Sequence, residues 1–320
     1  MTDLDILDTG DAAEEDARKT AARRMFMYSE AALLAAAEVD RKYVLFPDLN
    51  AVLSAFDRVY QLALRITRPQ GILVSGPPGS SKTSVAEYFR RSLPPSNDII
   101  EGHGALTVRL RSNPCAGALV SLLLRAIRHP FTNVRAGRLG TMRDIAFEGL
   151  QQLGTRVIFI DQAHVLAQTS RSSRSQKGAL ETTASEVLRD LMDETGIALI
   201  FLASSGFSGL EAVDESLADR VSVRLRLDHF QDDPQWRSFL GKIGAATTVI
   251  DFGILAKVDV AGMTHRAVLG NRRRTKLLLT EAVLVAVDAG AKAVDQAHLE
   301  KAFERISGAS NPVMNPYAAA

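Results

Sequence analysis

Gly76-Pro-Pro-Gly-Ser-Ser-Lys-Thr83 is the stretch that decides the fold. It follows a short apolar run, Gly71-Ile-Leu-Val-Ser75, and opens a segment from Thr83 to Arg91 with helical apolar spacing. Apolar strand, small-residue turn, Lys-Thr and helix, in that order, make a phosphate-binding loop. Small residues let successive backbone N–H groups point at a β-phosphate, and the helix start adds its positive dipole end. Lys82 then neutralises β/γ oxygens and the Thr83 hydroxyl ligates Mg²⁺. Ligand contacts fall on Gly76, Pro77, Pro78, Gly79, Ser80, Ser81, Lys82, Thr83 and Ser84, and the implied cofactors are ATP and Mg²⁺. One position departs from G-x-x-x-x-G-K-[ST]: Ser81 stands where glycine is usual. A side chain there must tolerate a backbone shape that glycine accepts freely, which strains the loop or weakens nucleotide affinity.

A second segment supports the first. Arg156-Val-Ile-Phe-Ile160, the most apolar strand candidate in the chain, ends in Asp161-Gln-Ala-His164. An acid at the end of a buried strand is the form of a Walker B segment, and Asp161 would hold Mg²⁺ through its water shell. Hydrolytic proteins of this class usually carry Glu next, where this chain has Gln162. An amide orients water but does not accept its proton, so slow hydrolysis and a long-lived ATP state are expected. Ser204 or Ser205 ends a further strand, either against the γ-phosphate or lytic water or as a plain serine turn before Gly206. Arg220, just before the fifth strand, either reaches a neighbouring subunit's γ-phosphate or pairs with Asp219 at the surface. Asn271-Arg-Arg-Arg274 opens a helix after Gly270, where Arg272 and Arg274 are sensor-2 candidates for ATP. His164 reads as a packing histidine, since no metal-ligand residues cluster with it.

Strand and helix candidates alternate through Leu106–Leu110, Val157–Ile160, Ile197–Ala203 and Val221–Leu227, and beyond Leu227 the pattern is helical only. The fold class is α/β: a five-stranded parallel sheet covered by helices, with a small C-terminal all-helical lid. The expected layout is an acidic arm with lead-in helices over 1–40, a nucleotide-binding α/β domain over 41–228, a helical lid over 229–308 and a tail over 309–320.

Composition bounds the rest. The chain has 320 residues, 46% apolar and 23% charged, the balance of a folded protein rather than a disordered or collagen-like one. Lys and Arg number 38 against 37 Asp and Glu, so polyanion binding must come from local patches. Cys115 is the only cysteine, which excludes an internal disulfide and a multi-thiolate zinc site. No apolar run approaches the roughly 20 residues that cross a bilayer. The first sixteen residues are acidic, unlike a basic signal-peptide start, so a cytoplasmic location and no membrane partner are expected.

Together these segments resemble the AAA+ ATPases, and more closely the TniB/TnsC group of transposition ATPases, relatives of MuB. The likeness spans roughly residues 40 to 317. It rests on Tyr43-Val-Leu-Phe-Pro47, the phosphate loop, Ile160-Asp-Gln-Ala-His164, Glu215-Ser-Leu-Ala-Asp-Arg220 and the terminal Asn315-Pro-Tyr317. The resemblance implies ATP binding at subunit interfaces and a homo-oligomer, ring or helical filament, assembled on duplex DNA. It also implies that the assembly presents its target to a transposase, with a target-selection protein as a further partner. Candidates for sequence-nonspecific phosphate contact are Arg135, Arg138 and Arg143, with Asp144 the only nearby acid, and Arg171, Arg174 and Lys177 in a Ser-rich stretch without acids. Two other readings stay open: a P-loop kinase of a small molecule, and a nucleotide-gated interaction, signalling or secretion ATPase that never touches DNA.

Overall fold

The computed structural model describes residues 11–25, 27–93, 104–112, 114–167, 183–307 and 314–318. The chain forms two compact units, one over Leu45–His229 and the other joining the residues up to Val44 with those from Phe230 onward.

The first unit is built on a parallel sheet. Its strands are β1 (Ile72–Gly76), β2 (Ala105–Arg109), β3 (Val157–Asp161), β4 (Ala198–Ser204) and β5 (Val223–Arg226). They lie in the order β2-β3-β4-β1-β5, all neighbours parallel. β3 and β4 read as continuous apolar runs because helices bury both faces. Pleat alternation divides β3 between two cores. Phe159 meets Phe56 of α3 (Pro47–Ala63) and Phe89 of α4 (Lys82–Ser92) edge-on, at 5.1 and 5.9 Å between ring centroids. Ile158 and Ile160 face the opposite layer of α5 (Ala116–Ala126), α6 (Leu139–Gln152) and α7 (Ala184–Thr195). Helix α7 starts on a capping box: Thr183 Oγ1 accepts from the Glu186 N–H, and Glu186 accepts from the Thr183 N–H. A short α8 (Glu215–Arg220) precedes β5.

The second unit is helical. After α1 (Asp11–Met25) and α2 (Glu30–Arg41), it continues with α9 (Pro234–Ala246), α10 (Val258–Val268), α11 (Arg272–Asp288) and α12 (Gln296–Ser307). Asp233 caps α9 and Pro234 takes its first turn. Helix α2 packs on α11 through Ala32, Ala36 and Leu284. Polar ties add to it: Ser29 Oγ donates to Asp288 at 2.7 Å, and Lys276 meets Asp40 at 3.2 Å. The lead-in helix therefore belongs with the C-terminal helices rather than standing apart with the acidic arm. The tail is docked in this unit too. Tyr317 is fully buried, its hydroxyl is 3.0 Å from Thr264 Oγ1, and Asn315 Nδ2 donates to Glu300 O at 3.0 Å. Burial raises the phenol's pKa well above its ordinary value, so it stays a neutral donor. Among the described residues no helix is long and apolar enough to cross a membrane.

Candidate nucleotide site

Strand order puts β1 between β4 and β5, and the loop leaving β1 opens at the carboxyl edge of the sheet, where such sheets bind ligands. Gly76 begins that loop. A Cβ there would stand 2.1 Å from Leu227 O and 2.9 Å from Ser80 Oγ, so only glycine lets the chain pass this close to the end of β5. Gly79 turns with φ 78°, Ser80 is fully buried, and α4 begins at Lys82.

Ser81 adopts φ 68° and ψ 14°, the left-handed shape that glycine takes freely. Its side chain makes no capping hydrogen bond, so nothing local offsets the strain. Lys82 Nζ donates to Gly76 O at 2.8 Å, Pro77 O at 2.9 Å and Ser80 Oγ at 3.1 Å, folding the ammonium over the loop. His229 Nε2 lies 2.9 Å from Pro78 O, a tie that no sequence motif announced. Thr83 and Ser84 are exposed on the first turn of α4.

The two motifs meet at Thr83 and Asp161. Thr83 Oγ1 lies 3.4 Å from Asp161 Oδ2, while Asp161 Oδ1 accepts from the Gln162 N–H at 2.9 Å. A hydroxyl and a carboxylate together suit a hard divalent cation. A folded-back lysine, small-residue turns and this pair fit a polyphosphate with Mg²⁺. Lys82, the loop amides, Thr83 and Asp161 would hold it, and the bound pair would supply the γ-phosphoryl group and its charge neutralisation.

Gln162 also sits in the left-handed region, at φ 61°. With its amide oriented by its neighbours, Oε1 accepts from Arg109 Nη2 at 2.6 Å and Nε at 3.2 Å, and the amide N–H donates to Leu110 O at 2.9 Å. Arg109 stands beside Asp161 in the β2–β3 register. Sequence reasoning missed this partner, since nothing in the Walker B segment points to β2. His164 Nδ1 is buried without a hydrogen-bond partner, and among the described residues no three His, Cys, Asp or Glu gather as a metal site.

The remaining candidates separate. Ser204 is the register partner of Gly76, whereas Ser205 follows β4 in an exposed turn. Arg220 is bidentate to Asp193 of α7, at 2.9 and 2.7 Å, rather than paired with Asp219. Hydrogen bonding to Arg220 holds the Asp193 carboxyl below the usual range, and the same bonds raise the guanidinium's pKa. Arg272 and Arg274 belong to the helical unit. Asn271 caps α11 there by accepting from the backbone N–H groups of Arg273 and Arg274. The Arg272 guanidinium is buried 5.2 Å over the Phe230 ring, and Arg274 is exposed.

Arg143 requires a correction. The fold brings it Asp190 at 3.2 Å and Glu194 at 3.8 Å besides Asp144 at 3.1 Å. The guanidinium also lies 5.6 Å over Phe147, so it ties α6 to α7 and is not a free charge for phosphate. Arg135 and Arg138 are exposed with no ion pair among the described residues. Arg171, Arg174 and Lys177 lie outside the described residues.

Comparison with known proteins agrees with this geometry. The family model described as "Bacterial TniB protein" matches residues 35–231, more than half of the chain. No curated protein matches. Among solved structures, the chain is similar to the Aeropyrum pernix ORC1 protein in complex with DNA, at 21% identity and TM-score 0.59, covering 85% of this chain and 69% of that one. It is also similar to the Aeropyrum pernix ORC2 protein in its ADP form, at 14% identity and TM-score 0.60, covering 84% and 72%. Pyrobaculum aerophilum Cdc6p follows at 16% identity and TM-score 0.54, covering 83% and 69%. At these identities the likeness establishes the fold, that of the AAA+ P-loop ATPases.

Proposed function

The chain belongs to the TniB family of AAA+ ATPases, and from that premise we propose that it is an ATP-dependent switch that assembles on duplex DNA and recruits or activates a transposase there. The observation that carries the nucleotide half is the meeting of Thr83 and Asp161 at the mouth of a loop already closed over Lys82. ATP with Mg²⁺ is the ligand this set accommodates. Turnover is slow, because Gln162 supplies an amide where a carboxylate would accept a proton, and that amide is occupied by Arg109. Arg220, held rigid by Asp193, serves a neighbouring subunit's γ-phosphate in the oligomer, with Ser204 or Ser205 and an arginine of the Arg272–Arg274 pair completing the site.

Duplex DNA is gripped through phosphates without base reading, by Arg135 and Arg138 and by the stretch containing Arg171, Arg174 and Lys177. Family membership supports this half, as does the likeness in fold to a protein solved in complex with DNA. Filter binding to a plain duplex over a salt series, with and without ATP, is the test: no ATP-dependent retention at low salt sinks the proposal. A nucleotide-gated interaction ATPase that never touches DNA is the second reading. The neutralisation of Arg143 favours it, because one expected phosphate contact is absorbed inside the fold.

A further inference from the structure

From Gly102 to Arg143 the chain carries seven arginines and not one acidic residue. Within this run Phe131 is 73% exposed, the only exposed phenylalanine among the described residues. The loop that carries it is held in place. Helix α5 ends in a turn at Arg128, which takes the left-handed φ of 57°, and Pro130 then restricts the backbone. The segment that follows runs back along α5. Ser121 Oγ donates to Thr132 O at 2.5 Å, and a Cβ on Gly117, one turn earlier, would lie 3.7 Å from Val134 O. Val134 packs against the core formed by α5 and α6, and His129 Nδ1 lies 2.9 Å from Phe131 O. Burial alternates here: Thr132 and Val134 are partly buried, whereas Phe131, Asn133 and Arg135 are exposed. An extended chain puts alternate residues on one side at intervals of about 6.6 Å. One face therefore presents a phenyl ring, an amide and a guanidinium in a row of about 13 Å. Arg128 and Arg138 flank the row, exposed and with no carboxylate partner among the described residues.

We propose that Phe131 is a wedge that enters the minor groove of duplex DNA and parts one base step, so that the assembly selects its target by deformability; the inference rests on the reading of the chain as a DNA-assembled ATPase. Proteins that kink DNA through the minor groove combine an apolar wedge with Arg and Asn side chains. Here the Phe131 ring supplies the wedge. The Asn133 amide N–H groups meet acceptors that every base pair shows in that groove, and Arg135 neutralises a flanking phosphate. Neither contact identifies a base. Selection comes instead from the cost of unstacking, which is low at a TA step and lower still at a mismatch. Burying the ring against bases removes its apolar area from water. The positive charge around it directs it to a polyanion rather than to an apolar protein face.

The experiment uses the full-length chain with ATP and two duplexes of one length, one fully paired and the other with a central mismatch. ATP-dependent retention of the paired duplex comes first, and its absence overturns the functional reading and this inference with it. With retention in place, the wild-type chain binds the mismatched duplex roughly tenfold more tightly. A 2-aminopurine set beside a central TA step of the paired duplex brightens as its neighbour unstacks. Phe131→Ala binds the two duplexes equally and gives no brightening, and its salt slope matches wild type because no charge has been removed. Phe131→Leu, still an apolar wedge, keeps part of both signals. Arg135→Gln lowers the salt slope by about 1 and keeps the preference. Equal affinity of the wild-type chain for the two duplexes, or preference and brightening unchanged in Phe131→Ala, overturns the inference and leaves the DNA-assembled ATPase intact. So does loss of ATP-dependent self-association without DNA in Phe131→Ala, which would make the ring a contact between subunits.

Discussion

Replacing Ser81 with glycine should stabilise the α/β unit without tightening nucleotide binding. Ser81 holds φ 68° and its hydroxyl caps nothing, so the substitution removes strain and loses no hydrogen bond. Its carbonyl still accepts from the Val85 N–H at 2.8 Å, a bond indifferent to the side chain. A left-handed L-residue costs about 1–2 kcal/mol, and the freer unfolded chain of a glycine takes back about 0.4–1 kcal/mol. The net is about 0.5–1 kcal/mol in favour of Ser81→Gly, or about 1–4 °C in Tm for a unit of this size. Because the loop's shape is set by the close pass of Gly76 against Leu227 O and by the Lys82 bonds to Gly76 O and Pro77 O, the strain is carried by folding rather than by binding. ATP affinity therefore changes by less than about 0.5 kcal/mol, a factor of about two. Scanning calorimetry and nucleotide titration on the same preparation read the two quantities. A tenfold tighter Kd with an unmoved Tm would refute the reasoning, since it would place the strain in the bound loop.

Lys82→Ala removes the donor to Gly76 O, Pro77 O and Ser80 Oγ and should abolish ATP-dependent assembly with the fold intact; filaments seen by electron microscopy at wild-type frequency would exclude the loop as the phosphate site. Gln162→Glu supplies the missing carboxylate beside the Arg109 guanidinium, so turnover should rise, measured both with and without DNA. An unchanged rate in both conditions would mean that another residue positions the water. Tyr317→Ala should cost about 3–5 kcal/mol by chemical denaturation and Tyr317→Phe about 1 kcal/mol, because Thr264 Oγ1 keeps its bond to Val260 O. A loss below about 1 kcal/mol for the alanine variant would show that the tail contributes little packing.

The sheet was legible because its central strands are uninterrupted apolar runs bounded by glycine and proline turns, and each strand lies within two residues of its expected place. Helix α10 was not. Lys257 offers it no side-chain cap, Gly262 interrupts it, and Val258, Val260 and Val268 are weak helix formers. The pairing of α2 with α11 was equally hidden, because it is a tertiary choice made by Ala32 and Ala36 against Leu284, with no local signal. In the site, the departures Ser81 and Gln162 stood out against motif spacing, and both proved to be left-handed residues. What each departure costs was not readable, since it depends on a backbone angle in one case and on a guanidinium from another strand in the other.

Charge teaches the same lesson more sharply. A balance of 38 to 37 directs attention to runs of arginine, and by that criterion Arg143, near Arg135 and Arg138, is a better phosphate contact than the scattered Arg111 and Arg125. The fold takes Arg143 out of that set. Helix periodicity on α7 sets Asp190 and Glu194 one turn apart, so both carboxylates face Arg143 and cancel it. Strand periodicity instead lines up Arg109 at the end of β2 with Arg111 just beyond it, and α5 adds Arg125, with no acid among the described residues that line the same cleft. Free positive potential therefore follows the 3.6 and 2.0 residue periods that bring side chains to one surface, and not the density of arginines along the chain. A cation two residues from its like on an edge strand is the pattern to seek in chains whose net charge is near zero.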